Sequence, residues 1–361
     1  MESKKREIKY DYLRTLAVLA VIMVHAIPGE TANEKQWLFS AALTPLLLTS
    51  VGIFFMLSGL FLLQSYKQDI KEFYWKRFLG ILIPFIVYSG IYYWYYNVNL
   101  SLTPSPLHEH AGLFIREFIT ESIPSAPHLW FMYVIIALYV CTPFLARMFH
   151  AMTDRELKSF FIMILLVQGI NTYLPALGLE VSPVMEYLIF KGWLIYFVLG
   201  YIIIRLYGKK TYLPFGVLGA AGFFITLFQK IVTPGFTPGI HDMAYPMIAM
   251  SISILLLFEY YGDIKILVFR KLVTIISRYS FSIYLIHYLI LNQVVKGIIE
   301  RTGFRHYYIP RILIETALTF LISLAVAVIL DETVVKLLKR GAEALKSKGK
   351  LKRRIRHGRK R

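Results

Sequence analysis

Residues 11–26 read DYLRTLAVLAVIMVHA. The stretch is long and apolar enough to begin a membrane span, yet Arg14 stands near one end and His25 near the other, and both cost energy in lipid. The two are eleven residues apart. At about 100° per residue they return to within roughly 20° of one face, about 16 Å apart along the axis. One stripe of the first span thus carries a guanidinium at one end and an imidazole well inside. An arginine at a span end ordinarily snorkels to head groups. An imidazole at depth is less ordinary: ionisable groups inside spans face the bundle interior and mark function, and a neutral histidine suits general-base work.

The remainder of the chain repeats the apolar theme. Of 361 residues, 57% are hydrophobic and 16% aromatic, with a mean hydropathy of +0.57. A soluble domain is about 45–50% apolar, and here the excess comes in long blocks. This predicts an all-α polytopic membrane protein. About ten transmembrane helices are expected, near 11–28, 41–64, 78–96, 129–149, 159–178, 187–206, 212–229, 244–261, 272–295 and 309–330. Pro45 is placed to tilt or break the second. The basic start MESKKREIKY runs into the first span without a small-residue cleavage site, so that span is expected to stay in the mature chain. A single cysteine, Cys141, excludes an intramolecular disulfide and a cysteine-based metal site.

Lys and Arg are distributed unevenly between alternate loops. One side gathers Lys4, Lys5, Arg6, Lys9, Lys67, Lys71, Lys76, Arg77, Arg147, Arg155, Lys158, Arg205, Lys209, Lys210, Lys265, Arg270 and Lys271; the other has scattered basics such as Lys35, Arg116, Lys191, Lys230 and Lys296. The positive-inside rule then makes both termini cytoplasmic and the protein a multi-pass cell-membrane protein. The net charge of +18 does not call for nucleic acid, because no recognition fold accompanies it. Much of it lies in the tail KSKGKLKRRIRHGRKR, residues 346–361, which suits anionic lipid head groups. The expected organisation is a transmembrane domain over 1–335 and a basic cytoplasmic tail over 336–361. The outward loop 97–128 is rich in Pro and His, including Pro104 and Pro106, and a short helix is expected around GLFIREFIT. A second outward loop, TPGFTPGIHD, is turn-rich.

No P-loop, dinucleotide fingerprint, G-x-S-x-G elbow or H-E-x-x-H occurs, which excludes the chemistry those motifs carry. His108 and His110 lack a third ligand, so no metal site is expected. Glu315 in the tenth span, Glu259 in the eighth and the pair His241-Asp242 could each meet a cation or relay a proton. Ser58-Gly59 offers small residues for close helix contact.

The arginine-to-histidine spacing in YDYLRTLAVLAVIMVHA, followed by VGIFFMLSGLFLL, resembles the acyltransferase 3 family of integral-membrane acyltransferases. YWKRFLGILIPF, HLWFMYVIIALYVCTPFL and RYSFSIYLIHYLIL are similar to that family too, in the same order along the chain. The resemblance implies a ten-span bundle that takes an acyl group, usually acetyl, from cytoplasmic acyl-CoA, a donor substrate rather than a resident cofactor. The group passes to a hydroxyl of a cell-surface or exported glycan. By the same resemblance His25 is the catalytic histidine and Arg14 its partner. Transfer is direct or passes through a covalent acyl-enzyme.

Arg14, Lys76, Arg77 and Arg278 are the candidates for the donor's phosphates. Family members often carry a further arginine three positions after Arg77, where this chain has Gly80. Lys76 can substitute as a point charge but not as a bidentate fork. His128, Trp130 and His287 are the candidates for acceptor binding, since aromatic faces and hydrogen-bonding tips suit a sugar. In the ninth span Arg278 and His287 are nine residues apart, about 180° out of register on a helix. A second class of function, proposed for some relatives, is a glycan exporter or flippase with the same polar residues lining a conduit. A purely structural scaffold would leave the buried ionisable residues unexplained.

Overall fold

The computed structural model describes residues 7–64, 67–99, 106–188, 190–207, 212–232, 242–263 and 266–358. Lys4, Lys5, Arg6, Pro104, Lys209, Lys210, Lys265, His241 and nearly all of TPGFTPGIHD lie outside them.

Among the described residues the regular structure is helical. Ten apolar helices or helix runs fall on the ten expected spans. They begin with α1 (Ile8–Ala26) and α2 (Glu34–Leu62), followed by α3 (Ile70–Arg77), which continues into α4 (Ile83–Tyr93). After the short α5 (Leu107–Ile119) come α6 (Trp130–Ala151), α7 (Asp154–Ala176), α8 (Trp193–Leu206), α9 (Tyr212–Val232) and α10 (Tyr245–Tyr261). The run α11 (Leu267–Ile290) leads into α12 (Lys296–Glu300), and α13 (Tyr308–Leu330) leads into α14 (Lys336–Gly358). Seven are long and apolar enough to cross a membrane on their own, while α8 and α10 are shorter. Helix α1 has the length but carries Lys9, Asp11 and Arg14 within it. This is an all-α polytopic membrane protein.

Local chemistry sets the helix ends. Asn33 caps α2 by accepting the Gln36 amide at 3.0 Å, and Asp69 caps α3 through the Glu72 amide at 2.9 Å. Thr153 and Glu156 close a reciprocal capping box on α7, satisfying donors the helix leaves open. Pro45 does not break α2, which runs through it. The helix expected around GLFIREFIT is α5. The sixth span starts at Trp193 rather than 187, because Gly192 takes a φ of +64° that ends the preceding turn. The 14 residues of α8 rise only about 21 Å. That length suffices because protein surrounds much of the helix: Ile195 to Ile203 are all buried.

Helix α8 packs along α2, and α1 lies between α2, α11 and α13. Gly59 and Gly200 permit the α2–α8 approach: a methyl on Gly59 would collide with the Phe197 carbonyl, and one on Gly200 with that of Met56. Membrane interfaces use small residues in this way to bring backbones together. Among the described residues four π turns continue the helices, at Phe78–Leu82, Trp94–Asn99, Leu291–Val295 and Asp331–Val335. Each lies at or beside residues taken up below, as π turns commonly do in functional regions.

Candidate functional site

Arg14 projects from α1 into a cavity of about 170 Å³, walled by Phe54, Ser58, Ile81, Phe131, Ile135, Tyr139, Ser280, Phe281 and Tyr284. Its guanidinium donates to Ser277 Oγ at 3.2 Å and lies 3.6 Å from buried Asp11. Ser277 in turn donates to Asp11 at 2.7 Å. This triad orients the arginine from both α1 and α11. Arg77 stands beside the same cavity, its guanidinium 5.8 Å from the centre of the Tyr139 ring. Its Nε is buried without a hydrogen-bond partner among the described residues. The cavity is therefore mostly apolar, with the Arg14 guanidinium on its wall and that of Arg77 beside Tyr139.

Tyr284 leads from that cavity to a cluster of three histidines. The His25 and His287 rings lie 5.4 Å apart, centre to centre, and His128 and His287 4.9 Å. Tyr288 bridges them, edge-on to His25 at 5.2 Å and stacked on His128 at 5.2 Å. His287 Nδ1 lies 2.6 Å from the Tyr284 carbonyl. A carbonyl only accepts, so Nδ1 bears the proton, and in a neutral ring Nε2 would present a lone pair. That nitrogen is buried and has no partner among the described residues. His128 is buried as well, with Nε2 3.3 Å from the Leu285 carbonyl and 3.5 Å from Tyr92 Oη. Tyr92 Oη also accepts the Leu289 amide at 2.9 Å. The hydroxyl of Tyr284 donates to the His128 carbonyl. Clustered imidazoles can accept protons or bind hydroxyl groups through their ring nitrogens. No three His, Cys, Asp or Glu side chains among the described residues are grouped as a metal ion requires.

The structure thus brings His25, His128 and His287 together, and places Arg14 on the cavity wall with Arg77 beside Tyr139 of that wall. Trp130 stands aside, tilted against Trp193 at 5.0 Å in a group that continues to Phe55. Lys76 is exposed and paired with Glu72 at 2.8 Å. Gly80 is exposed, with open space where a side chain would begin, so packing does not dictate the departure there. Arg278 turns away from Arg14. It pairs with Glu332 at 3.1 Å and lines a separate cavity of about 460 Å³ with Tyr279, Asp331, Lys336, Lys339 and Arg340.

Among the other polar residues, Glu259 meets Lys9 at 2.8 Å, and fully buried Glu315 accepts from Arg311 at 2.8 Å. His110 is 3.2 Å from Tyr93 Oη. Asp11, Ser277, Tyr92, Tyr284 and Tyr288 were not picked out from the sequence. Signals existed: Asp11 is one helical turn before Arg14, and Tyr284 and Tyr288 flank His287 at −3 and +1.

A family model described as an acyltransferase domain matches residues 7–331, which spans the Arg14 cavity and the histidine cluster together. The chain belongs to the acyltransferase 3 family. It is also similar to a probable poly-beta-1,6-N-acetyl-D-glucosamine export protein of Staphylococcus aureus strain MRSA252, at 22% identity over 80% of this chain and 84% of the relative. The corresponding protein of strain MSSA476 is 21% identical over the same shares. No solved structure matches the chain.

Proposed function

We propose that this protein is a membrane O-acyltransferase that moves an acyl group, acetyl in the first instance, from cytoplasmic acyl-CoA to a hydroxyl of a cell-surface or exported glycan. The observation that carries the reading is the arrangement of Arg14 and Tyr284 on the wall of one apolar cavity, with Tyr284 in ring contact with His128 and His287 and His25 beside His287. Arg14 and Arg77 hold donor phosphates through charge-assisted hydrogen bonds. Exposed Lys76 and Arg278 add the positive potential that draws an anionic donor toward this end of the bundle. The acyl-bearing arm lies in the cavity with its thioester toward His25. The glycan hydroxyl attacks the thioester carbonyl, and His25 accepts its proton. The carbon–sulfur bond then breaks and the thiolate leaves, taking up a proton. His128 and His287 bind acceptor hydroxyls, with Trp130 at the edge of the acceptor path.

In this reading both termini and the Arg14 end are cytoplasmic, and the protein sits in the cell membrane. Residues 1–335 form the catalytic transmembrane domain. Residues 336–361 are a basic tail against anionic lipid. Poly-N-acetylglucosamine is the first acceptor to try, given what the relatives are called.

The test is consumption and transfer of radiolabelled acetyl-CoA by purified protein in nanodiscs, wild type against His25→Ala. The variant should lose at least about a hundredfold in rate, within the range general acid–base groups contribute, while expressing and folding normally. The relatives' names favour a second reading, export of a glycan without acyl transfer. Folded protein that binds no acyl-CoA yet moves glycan across proteoliposomes would establish that one instead.

A further inference from the structure

We infer that an oligosaccharide-binding subsite lies just beyond the histidines, formed by Tyr95, Tyr96, Gln293 and Lys296, so that the acceptor is engaged as a chain of sugars rather than as a single one. This rests on the acyl-transfer reading and extends it to the acceptor. Two π turns meet at this end of the bundle: Trp94–Asn99, which follows α4, and Leu291–Val295, which follows α11. Their side chains hold one another across the junction. Tyr95 Oη donates to Gln293 Oε1 at 3.1 Å, and Gln293 Nε2 donates to Tyr96 Oη at 2.8 Å. The Tyr95 and Tyr96 rings are edge-to-face at 5.1 Å. One turn further along, Lys296 Nζ donates to Asn292 Oδ1 at 2.8 Å.

Tyrosines at a membrane interface ordinarily form an anchoring belt. This cluster differs in adjoining a residue that packs on the histidines. Asn292 Nδ2 donates to the carbonyl of Tyr288 at 2.9 Å, and the Tyr288 ring touches both His25 and His128. A hydrogen-bonded lattice of half-buried rings and an exposed amide, Tyr95, Gln293 and Tyr96, therefore stands one residue along the chain from the Asn292 that binds the Tyr288 carbonyl. Its chemistry matches a sugar chain: an amide and hydroxyls that both donate and accept, an ammonium that donates, and aromatic faces for C–H groups. Because these side chains already hold each other, binding orders little more. A single sugar at the histidines would leave the outer lattice uncovered, whereas a chain covers both.

The test is binding of β-1,6-linked N-acetylglucosamine oligomers of one, two and four sugars to the full-length protein in nanodiscs by titration calorimetry, with acetyl-CoA turnover measured on the same preparation. The tetramer should bind at least tenfold more tightly than the monomer. Tyr95→Ala and Gln293→Ala should each remove most of that gain while leaving monomer binding unchanged. Tyr95→Phe, which keeps the ring, should fall between. Equal affinity for monomer and tetramer, a full chain-length gain in both alanine variants, or no oligomer bound by protein that consumes acetyl-CoA overturns the subsite. Failure of the wild type to bind or consume acetyl-CoA would instead overturn the acyl-transfer reading, whatever the oligomers do.

Discussion

Helices α1 and α11 each carry an arginine toward one end and a histidine toward the other, but they use the pair differently. In α1 the separation of eleven residues puts Arg14 and His25 on one face, the first at the apolar cavity and the second in the histidine cluster. In α11 the separation of nine turns His287 into the cluster and Arg278 outward to Glu332. The inward position near Arg278 is taken by its neighbour Ser277, which binds Arg14. Spacing therefore decides whether a cation and an imidazole on a membrane helix share a face or point apart. The second arginine is not a copy of the first.

The sharpest way to break this contrast is at Arg14. Alanine is a poor choice, because it would take the guanidinium away from both buried Asp11 and Ser277, mixing folding with function. Arg14→Lys keeps the charge and removes the planar fork. Donor affinity in the lysine variant should fall about tenfold or more, the loss of a hydrogen bond to a charged group, read as a rise in KM for acetyl-CoA. Unchanged donor affinity in a fully active Arg14→Lys enzyme would remove Arg14 from the phosphate site and leave α1 no different from α11.

Ser277 is the hinge between the two helices and the next position to vary. Ser277→Ala deletes the hydroxyl that accepts from Arg14 at 3.2 Å and donates to Asp11 at 2.7 Å. A net loss of about 1 kcal/mol should appear as roughly a fivefold rise in donor KM with little change in kcat, because the thioester and histidines are untouched. A fall in kcat with constant KM would mean that the triad tunes chemistry at the far end of the path.

Much of this architecture was legible because apolar length is a strong signal. Each expected span falls on a helix, and the arginine–histidine spacing pointed to one face of α1. The misplaced ends have physical causes. Helix α2 begins at Glu34, ahead of the expected 41, because Asn33 caps a polar first turn, and hydropathy registers lipid contact rather than helicity. The π turns carry no residue signature, so the meeting of Trp94–Asn99 with Leu291–Val295 could not be read from the sequence. The histidines stood out by type. Tyr92, Tyr284 and Tyr288 did not, since the chain has 25 tyrosines and only three-dimensional proximity separates those that touch histidine from those that line the membrane surface.

Arg278 offers the smallest expected effect and the cleanest comparison with Arg14. Its side chain is 66% exposed, and its partner Glu332 also binds Lys336 at 2.7 Å and the Tyr279 hydroxyl at 3.0 Å. Removing it leaves that carboxylate well supplied, and solvent screens the lost charge. Arg278→Ala should therefore change KM for acetyl-CoA by no more than about twofold, the scale of ordinary surface substitutions. A role in drawing the donor predicts that even this change fades as salt rises, because exposed charges act over only about 8 Å at physiological ionic strength. Should Arg278→Ala instead raise donor KM as far as Arg14→Lys, and do so in high salt, the charged cavity beside α14 would belong to the donor site itself. The two faces of α11 would then serve one ligand, and nine-residue spacing would no longer separate the roles of the two arginines.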